Sequence, residues 1–307
     1  KVPSVILINK DNGNFDVSHD KVYDDITSIQ YITSVTEADV DHNGKPDLVI
    51  TAEWQPIQIF LNDGKKLRKF SSKVLDNEKG WWQSAIVSDM DGDGKADLIA
   101  GNWGLNNKYN VTPNQPLYAY NADLDKDGKN DLILSYFVKG NYYPFRPKND
   151  LEQELPYLKK EWLSYQKMAD KTTSEIFKDK LNDNDRLAAN QFSSIFVSDV
   201  LHATTFKELP YQYQQAPIRS ILADYKSGDV LLNGNFWGVV PYEGKYDALG
   251  LVGLHYNKQL KQFSPPGYLI NAAFNFQELP YISTIKRAGS TDYLIVTYDG
   301  KVMLVTK

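Results

Sequence analysis

The sequence predicts an all-β fold, a β-propeller of four-stranded antiparallel blades interrupted by one short helical insertion. Three observations predict it. A ten-residue acidic pattern occurs three times, as DVDHNGKPDL at 39–48, DMDGDGKADL at 89–98 and DLDKDGKNDL at 123–132. Each copy lies between strand-like stretches, YITSVTEA and DLVITAEW around the first, SAIVS and DLIAGNW around the second, PLYAYNA and DLILSYF around the third. The first copy then continues as PIQIFLND and KLRKFSS, which completes four strands. A four-stranded unit repeated every several tens of residues is the pattern of a propeller blade.

The elements follow in chain order. Lys1 leads straight into VPSVILINKDNGNF, a strand–turn–strand pattern with no initiator Met, which reads as a processed chain or the C-terminal part of a longer one. Three units with acidic loops follow. Residues 148–181, KNDLEQELPYLKKEWLSYQKMADKTTSEIFKDKL, break the alternation, and Leu158, Trp162, Tyr165 and Ala169 recur at helical spacing. With Pro156 and Asp170 or Thr172 as start signals, this segment reads as two short helices between strands of the third unit, a packing cap or a lid. APIRSILADYKSGDVLLNGNFWG is a worn fourth copy that keeps Asp224 and Asp229 but has lost the middle of its loop, so no metal is expected there. YISTIKRAGSTDYLIVTYDGKVMLVTK is a fifth unit that keeps Asp292 and its strands. The expectation is a single β-propeller over residues 1–307, of five blades or of a larger ring with further blades upstream, the latter favoured.

The acidic loops carry the chemistry. Acid or amide side chains stand at positions 1, 3, 5 and 9, with Gly at 6. Ca²⁺ takes six to eight oxygens, and a tight loop can turn side chains 1, 3 and 5 inward with a carbonyl near 7 and the ninth residue closing the shell. The glycine permits the sharp turn at positive φ. The predicted ligands are Asp39, Asp41, Asn43 and Asp47; Asp89, Asp91, Asp93 and Asp97; and Asp123, Asp125, Asp127 and Asp131. Lys45, Lys95 and Lys129 are expected to offer only carbonyls, with their ammonium groups in water. An EF-hand begins alike but needs Glu at position 12 and flanking helices; position 12 is Ile50, Ala100 and Leu134, and the flanks are strands. About three calcium ions are expected, and their six charges would take the net charge from −5 to +1.

Composition bounds the function. The net charge of −5 argues against nucleic acid, the absence of cysteine excludes disulfides and thiolate chemistry, and no apolar run approaches a membrane span. The four histidines (His19, His42, His202, His255) are scattered, and no nucleophile–base arrangement or phosphate loop stands out. Turns on the side away from the acidic loops carry a recurring aromatic beside amides, and Trp54, Trp103, Asn106 and Trp237 are the candidate ligand-binding residues there; the alternative is that these rings wedge between blades as core.

The DxDxDGxxDL loops resemble the FG-GAP or VCBS repeats of integrin-like propellers. LVITAEWQPIQIFLND, PLYAYNADLDKDGKNDLILSYF, YYPFRPKNDLEQELPYLKKEWLSYQKMA and LLNGNFWGVVPYEGKYDA are similar to VCBS-repeat proteins related to the cartilage acidic protein family, which are common in Bacteroidetes-type bacteria. The resemblance implies structural calcium in the three intact loops and a secreted or cell-surface, often lipid-anchored, protein of the outer membrane. The expected function is a calcium-stabilised extracellular module that binds a protein partner, as a subunit of an outer-membrane assembly. The alternatives are a module for a surface glycan and, behind it, a polysaccharide hydrolase or lyase on the same scaffold.

Overall fold

The computed structural model describes residues 4–224, 229–240, 243–265, 281–287, 290–297 and 299–306. It divides into two compact units, Lys1–Asn106 with Phe192–Lys307, and Asn107–Gln191. Among the described residues the strand pairings are all antiparallel, and the helices are short.

In the first unit, β1 (Leu7–Asn9) and β2 (Phe15–Val17) form a hairpin around the DNG turn. The first sheet runs β3 (Ile32–Ala38), β4 (Asp47–Gln55), β5 (Gln58–Asn62) and β6 (Leu67–Phe70) in sequence order. The far end of β4 bends at a bulge between Glu53 and Gln55 and pairs with β7 (Gly80–Trp81). The second sheet begins with β8 (Ser84–Ser88) and β9 (Asp97–Gly101).

Here the chain departs from a tandem series. It leaves the second sheet after β9 and builds the second unit, where β10 (Leu117–Ala122), β11 (Asp131–Val138), β12 (Asn141–Pro144) and β13 (Leu187–Ala189) form a sheet of order β12-β11-β10-β13. It then returns, and β14 (Ile195–Val197) and β15 (Lys207–Glu208) complete the second sheet in the order β15-β14-β9-β8. The third acidic repeat is therefore an insertion between the second and third strands of the sheet that carries the second. A fourth sheet follows, β16 (Ser220–Asp224), β17 (Asp229–Asn233), β18 (Val252–Asn257) and β19 (Gln262–Ser264). The last has β20 (Tyr281–Arg287), β21 (Ser290–Val296) and β22 (Val302–Thr306).

The first strands of the four larger sheets of the first unit run beside one another, β3 against β8, β8 against β16 and β16 against β20. A hydroxyl spans each step. Thr36 Oγ1 donates to the Ala85 carbonyl at 2.7 Å, Ser84 Oγ to the Ile218 carbonyl at 2.7 Å, and Ser220 Oγ accepts from the Ile282 amide at 3.3 Å. These bonds satisfy polar groups that the packing of neighbouring sheets would otherwise strand. Between the first two sheets, Val49, Ile59, Leu75, Trp82, Leu98 and Val197 belong to one shared core.

In the second unit the segment predicted as two helices holds four, Lys148–Glu154, Leu158–Glu161, Tyr165–Met168 and Thr173–Phe177. Breaks at Leu155, Trp162 and Ala169 divide the predicted helical stripe. Thr172 and Glu175 form a reciprocal capping box at the last helix. Leu151, Leu155, Leu158, Ile176 and Phe177 pack on Tyr120 and Ile133, so the helices cover a face of their own sheet. Among the described residues no helix is long and apolar enough to cross a membrane.

Candidate metal centres

Each acidic loop joins the first and second strands of its sheet, and a shared set of backbone hydrogen bonds shapes it. The position-1 carboxylate accepts from the position-6 glycine amide at 3.0 Å in all three, Asp39 from Gly44, Asp89 from Gly94 and Asp123 from Gly128. Position 3 accepts from the amide of position 5, Asp41 from Asn43 at 3.2 Å, Asp91 from Asp93 at 3.1 Å and Asp125 from Asp127 at 3.2 Å. Position 5 accepts from the amide of position 7, at 2.9 Å for Asn43 and Asp93 and 2.8 Å for Asp127. Position 9 accepts from the amide of position 2, Asp47 from Val40, Asp97 from Met90 and Asp131 from Leu124, at 2.8, 2.9 and 2.8 Å. The backbone thus fastens an oxygen of each predicted ligand and turns the side chains toward the middle of the loop.

The glycines at position 6 have φ of +80°, +83° and +89°. Position 4 is also left-handed, with His42 at +57°, Gly92 at +81° and Lys126 at +66°, a demand that only the second loop meets with glycine. Lys45 and Lys95 depart from expectation. Lys45 Nζ donates to the Asp63 carbonyl at 2.6 Å, and Lys95 Nζ pairs with Asp199 Oδ2 at 2.6 Å, so both tie their loop to a later turn of the same sheet.

Three clusters result. Asp39, Asp41 and Asp47, then Asp89, Asp91 and Asp97, then Asp123, Asp125 and Asp127, each offer oxygens that lie within 4.8 Å of one another. Asn43 and Asp93 sit at the exposed rim of their loops, and Asp131 is buried at the base of the third. Like charges at such separations repel by roughly 1 to 4 kcal/mol per pair, depending on local screening. Burial pushes the Asp97 carboxyl above its usual pKa, and the charge of Asp91 adds to this. Burial likewise raises Asp131, with Asp125, Glu154 and Asp127 adding.

The residues fit a hard cation. Asp39 Oδ1 is sealed from solvent and has no hydrogen-bond partner, while Oδ2 is held by Gly44. A buried carboxylate oxygen left without a donor is costly unless a positive charge meets it. The predicted side-chain donors are all oxygens, with no imidazole or thiolate among them, which suits Ca²⁺ or Mg²⁺ rather than zinc. In the worn fourth copy, residues 225–228 of the loop lie outside the described residues, as does the side chain of Asp224; Asp229 accepts from His255 Nδ1 at 2.7 Å. The side chain of Asp292 also lies outside them.

At the other end of the hairpins, rings run in a line. Trp54 meets Trp81 at 5.2 Å, Trp81 meets Trp103 at 4.9 Å, and Trp103 meets Phe236 at 5.2 Å and Tyr246 at 5.3 Å, all near edge-on. Trp103 is buried in this line, whereas Trp237 is exposed with Lys245 Nζ 4.5 Å from its ring. Asn106 Nδ2 donates to the Gln215 carbonyl at 3.2 Å. Of the four candidate ligand-binding residues, Trp54 and Trp103 both meet Trp81 in this line. The same end holds Glu53, Gln83 and Arg219, which sequence reasoning missed because they do not recur from repeat to repeat.

No curated protein matches the sequence. Residues 39–100, which contain the first two acidic loops and the strands between them, match the family model of the FG-GAP-like repeat.

Proposed function

We propose that this chain is a calcium-stabilised β-propeller module that binds a protein partner outside the cell, as a subunit of an assembly on a bacterial outer membrane. In this reading the four larger sheets of the first unit are blades of one ring, with β3, β8, β16 and β20 as neighbouring inner strands. The third repeat is a separate unit set into the second blade. The observation that carries calcium is the sealed, unpartnered Asp39 Oδ1 within a cluster of three carboxylates. The FG-GAP-like match supports an interaction module. Calcium would fix the loops in one shape and so present a constant surface to the partner.

The test is capture of solubilised envelope proteins from a Bacteroidetes-type bacterium on the immobilised chain, in calcium and in chelator. The expected result is one discrete protein retained in calcium at fixed stoichiometry and released by chelator. Retention of no protein, or equal retention in both buffers, contradicts the proposal.

A further inference from the structure

Thr33, Glu53, Gln83, Trp103, Arg219 and Phe236 line a cavity of about 320 Å³ in the first unit, among the described residues. Three neighbouring sheets supply them, each from the start of its first strand or the end of its second, away from the acidic loops. The volume lies at the small end of ligand sites, which span roughly 300–1,000 Å³.

The lining departs from the repeat at the position that matters most. The three hairpins read AEW, GNW and GNF at this turn, so Glu53 stands where the others have Asn102 and Asn235. Those two amides are fully buried and serve the backbone, Asn102 Oδ1 accepting from Trp103 N and Asn235 Oδ1 from Leu249 N, both at 2.8 Å. Glu53 instead faces the cavity and accepts from Gln83 Nε2 at 3.2 Å. The residue after it, Trp54, has φ of +65° at the bulge in β4, a strained placement that bends the strand where the cavity opens. Packing alone would repeat an asparagine here.

The chemistry of the lining selects a class. Among the described lining residues one carboxylate and one guanidinium leave no net charge, so a charged ligand would lose its hydration without gaining an unshared counter-ion. Burial raises the pKa of Glu53, while Gln83 and the charge of Arg219 oppose the shift. Both amide hydrogens of Gln83 are engaged, by Glu53 Oε1 and by the Trp81 carbonyl, each at 3.2 Å, which leaves its oxygen as an acceptor. Arg219 brings N–H donors and stands 5.3 Å from the Phe236 ring. Donors and acceptors set beside an aromatic wall match a molecule with hydroxyls around its edge and C–H groups on its face.

We propose that this cavity binds a neutral sugar residue, with Glu53, Gln83 and Arg219 hydrogen-bonding its hydroxyls and Phe236 meeting its C–H face. None of the acidic-loop ligands lines the cavity, so this inference stands whether or not the loops bind calcium.

The test titrates a panel of methyl hexosides and methyl N-acetylhexosaminides into the full chain, and displays the same sugars at the ends of immobilised glycans. Uronic acids, hexosamines and free amino acids are run in parallel. The expected result is saturable binding of at least one neutral glycoside, weakened roughly tenfold or more in Glu53→Gln and in Phe236→Ala. Glu53→Gln keeps the shape and removes a charge that burial disfavours, so its melting temperature should not fall. Binding of free glycosides alone assigns a monosaccharide ligand, and capture on the glycans as well assigns the end of a chain. No saturation by any neutral sugar, preference for the charged probes, or binding unaltered in both variants overturns the proposal.

Discussion

In chelator, Asp97→Ala is expected to lower the unfolding free energy by about 3–5 kcal/mol, while Asp93→Ala, four residues away, changes it by less than about 1 kcal/mol. Both are predicted calcium ligands, but their surroundings differ. Asp97 is 1% exposed and accepts from the amides of Met90 and Asp199, each at 2.9 Å. The second of these bonds joins the loop to the turn after β14, across the point where the third repeat is inserted. Alanine would leave the buried Met90 amide and the half-buried Asp199 amide without an acceptor, at about 1–3 kcal/mol each, before any loss of calcium. Asp93 lies at the exposed rim, where water can replace its bond to the Lys95 amide. Urea unfolding of the two variants measures the difference. Equal losses would mean that Asp97 does not hold the second sheet together.

Trp82→Ala is expected to cost about 3–5 kcal/mol, the range for removing a buried aromatic side chain and leaving a cavity. Trp82 is fully buried between the first two sheets, against Val49, Leu98 and Val197. Its Nε1 donates to the Glu78 carbonyl at 2.9 Å, and its own carbonyl accepts from Thr33 Oγ1 at 2.6 Å. Trp237→Ala removes an equally large ring that is 39% exposed and rests beside Lys245, and should cost no more than about 1 kcal/mol. Thermal unfolding of both variants checks this. A Trp82 variant that melts with the wild type would show that the first two sheets do not share a core.

The acidic loops were legible because their chemistry is local. Ligand spacing, the glycine at 44, 94 and 128, and the strand flanks all fall within about a dozen residues, and the hydrogen bonds from those glycine amides follow the expected turn. The left-handed residue at position 4 was hidden because His42 and Lys126 accept that conformation without announcing it. The insertion of the third repeat was not legible, since β14 is only three residues long, Ile195–Val197, and its residues lie 95 to 99 positions beyond those they pair with. One signal was present. PIQIFLND follows the first hairpin at once, whereas GNWG at the end of the second leads into the polar run LNNKYNVTPNQ with no third strand. Glu53, Gln83 and Arg219 are distant in sequence and differ from their counterparts, so only the packing of three sheets brings them to one cavity.

If the acidic loops are calcium sites that hold the fold, the stability of the chain depends on the ion. The direct measurement is thermal unfolding of the chelator-stripped protein as calcium is added back. A site that binds only the folded chain contributes about 2.7 kcal/mol at a calcium concentration 100 times its Kd. Among the described residues the first unit has two such loops, and each kcal/mol raises the melting temperature of a unit this size by roughly 2–4 °C. A rise of about 10 °C or more is therefore expected, reduced in Asp97→Ala and not reproduced by potassium at equal ionic strength. A melting temperature that does not move with calcium would contradict it.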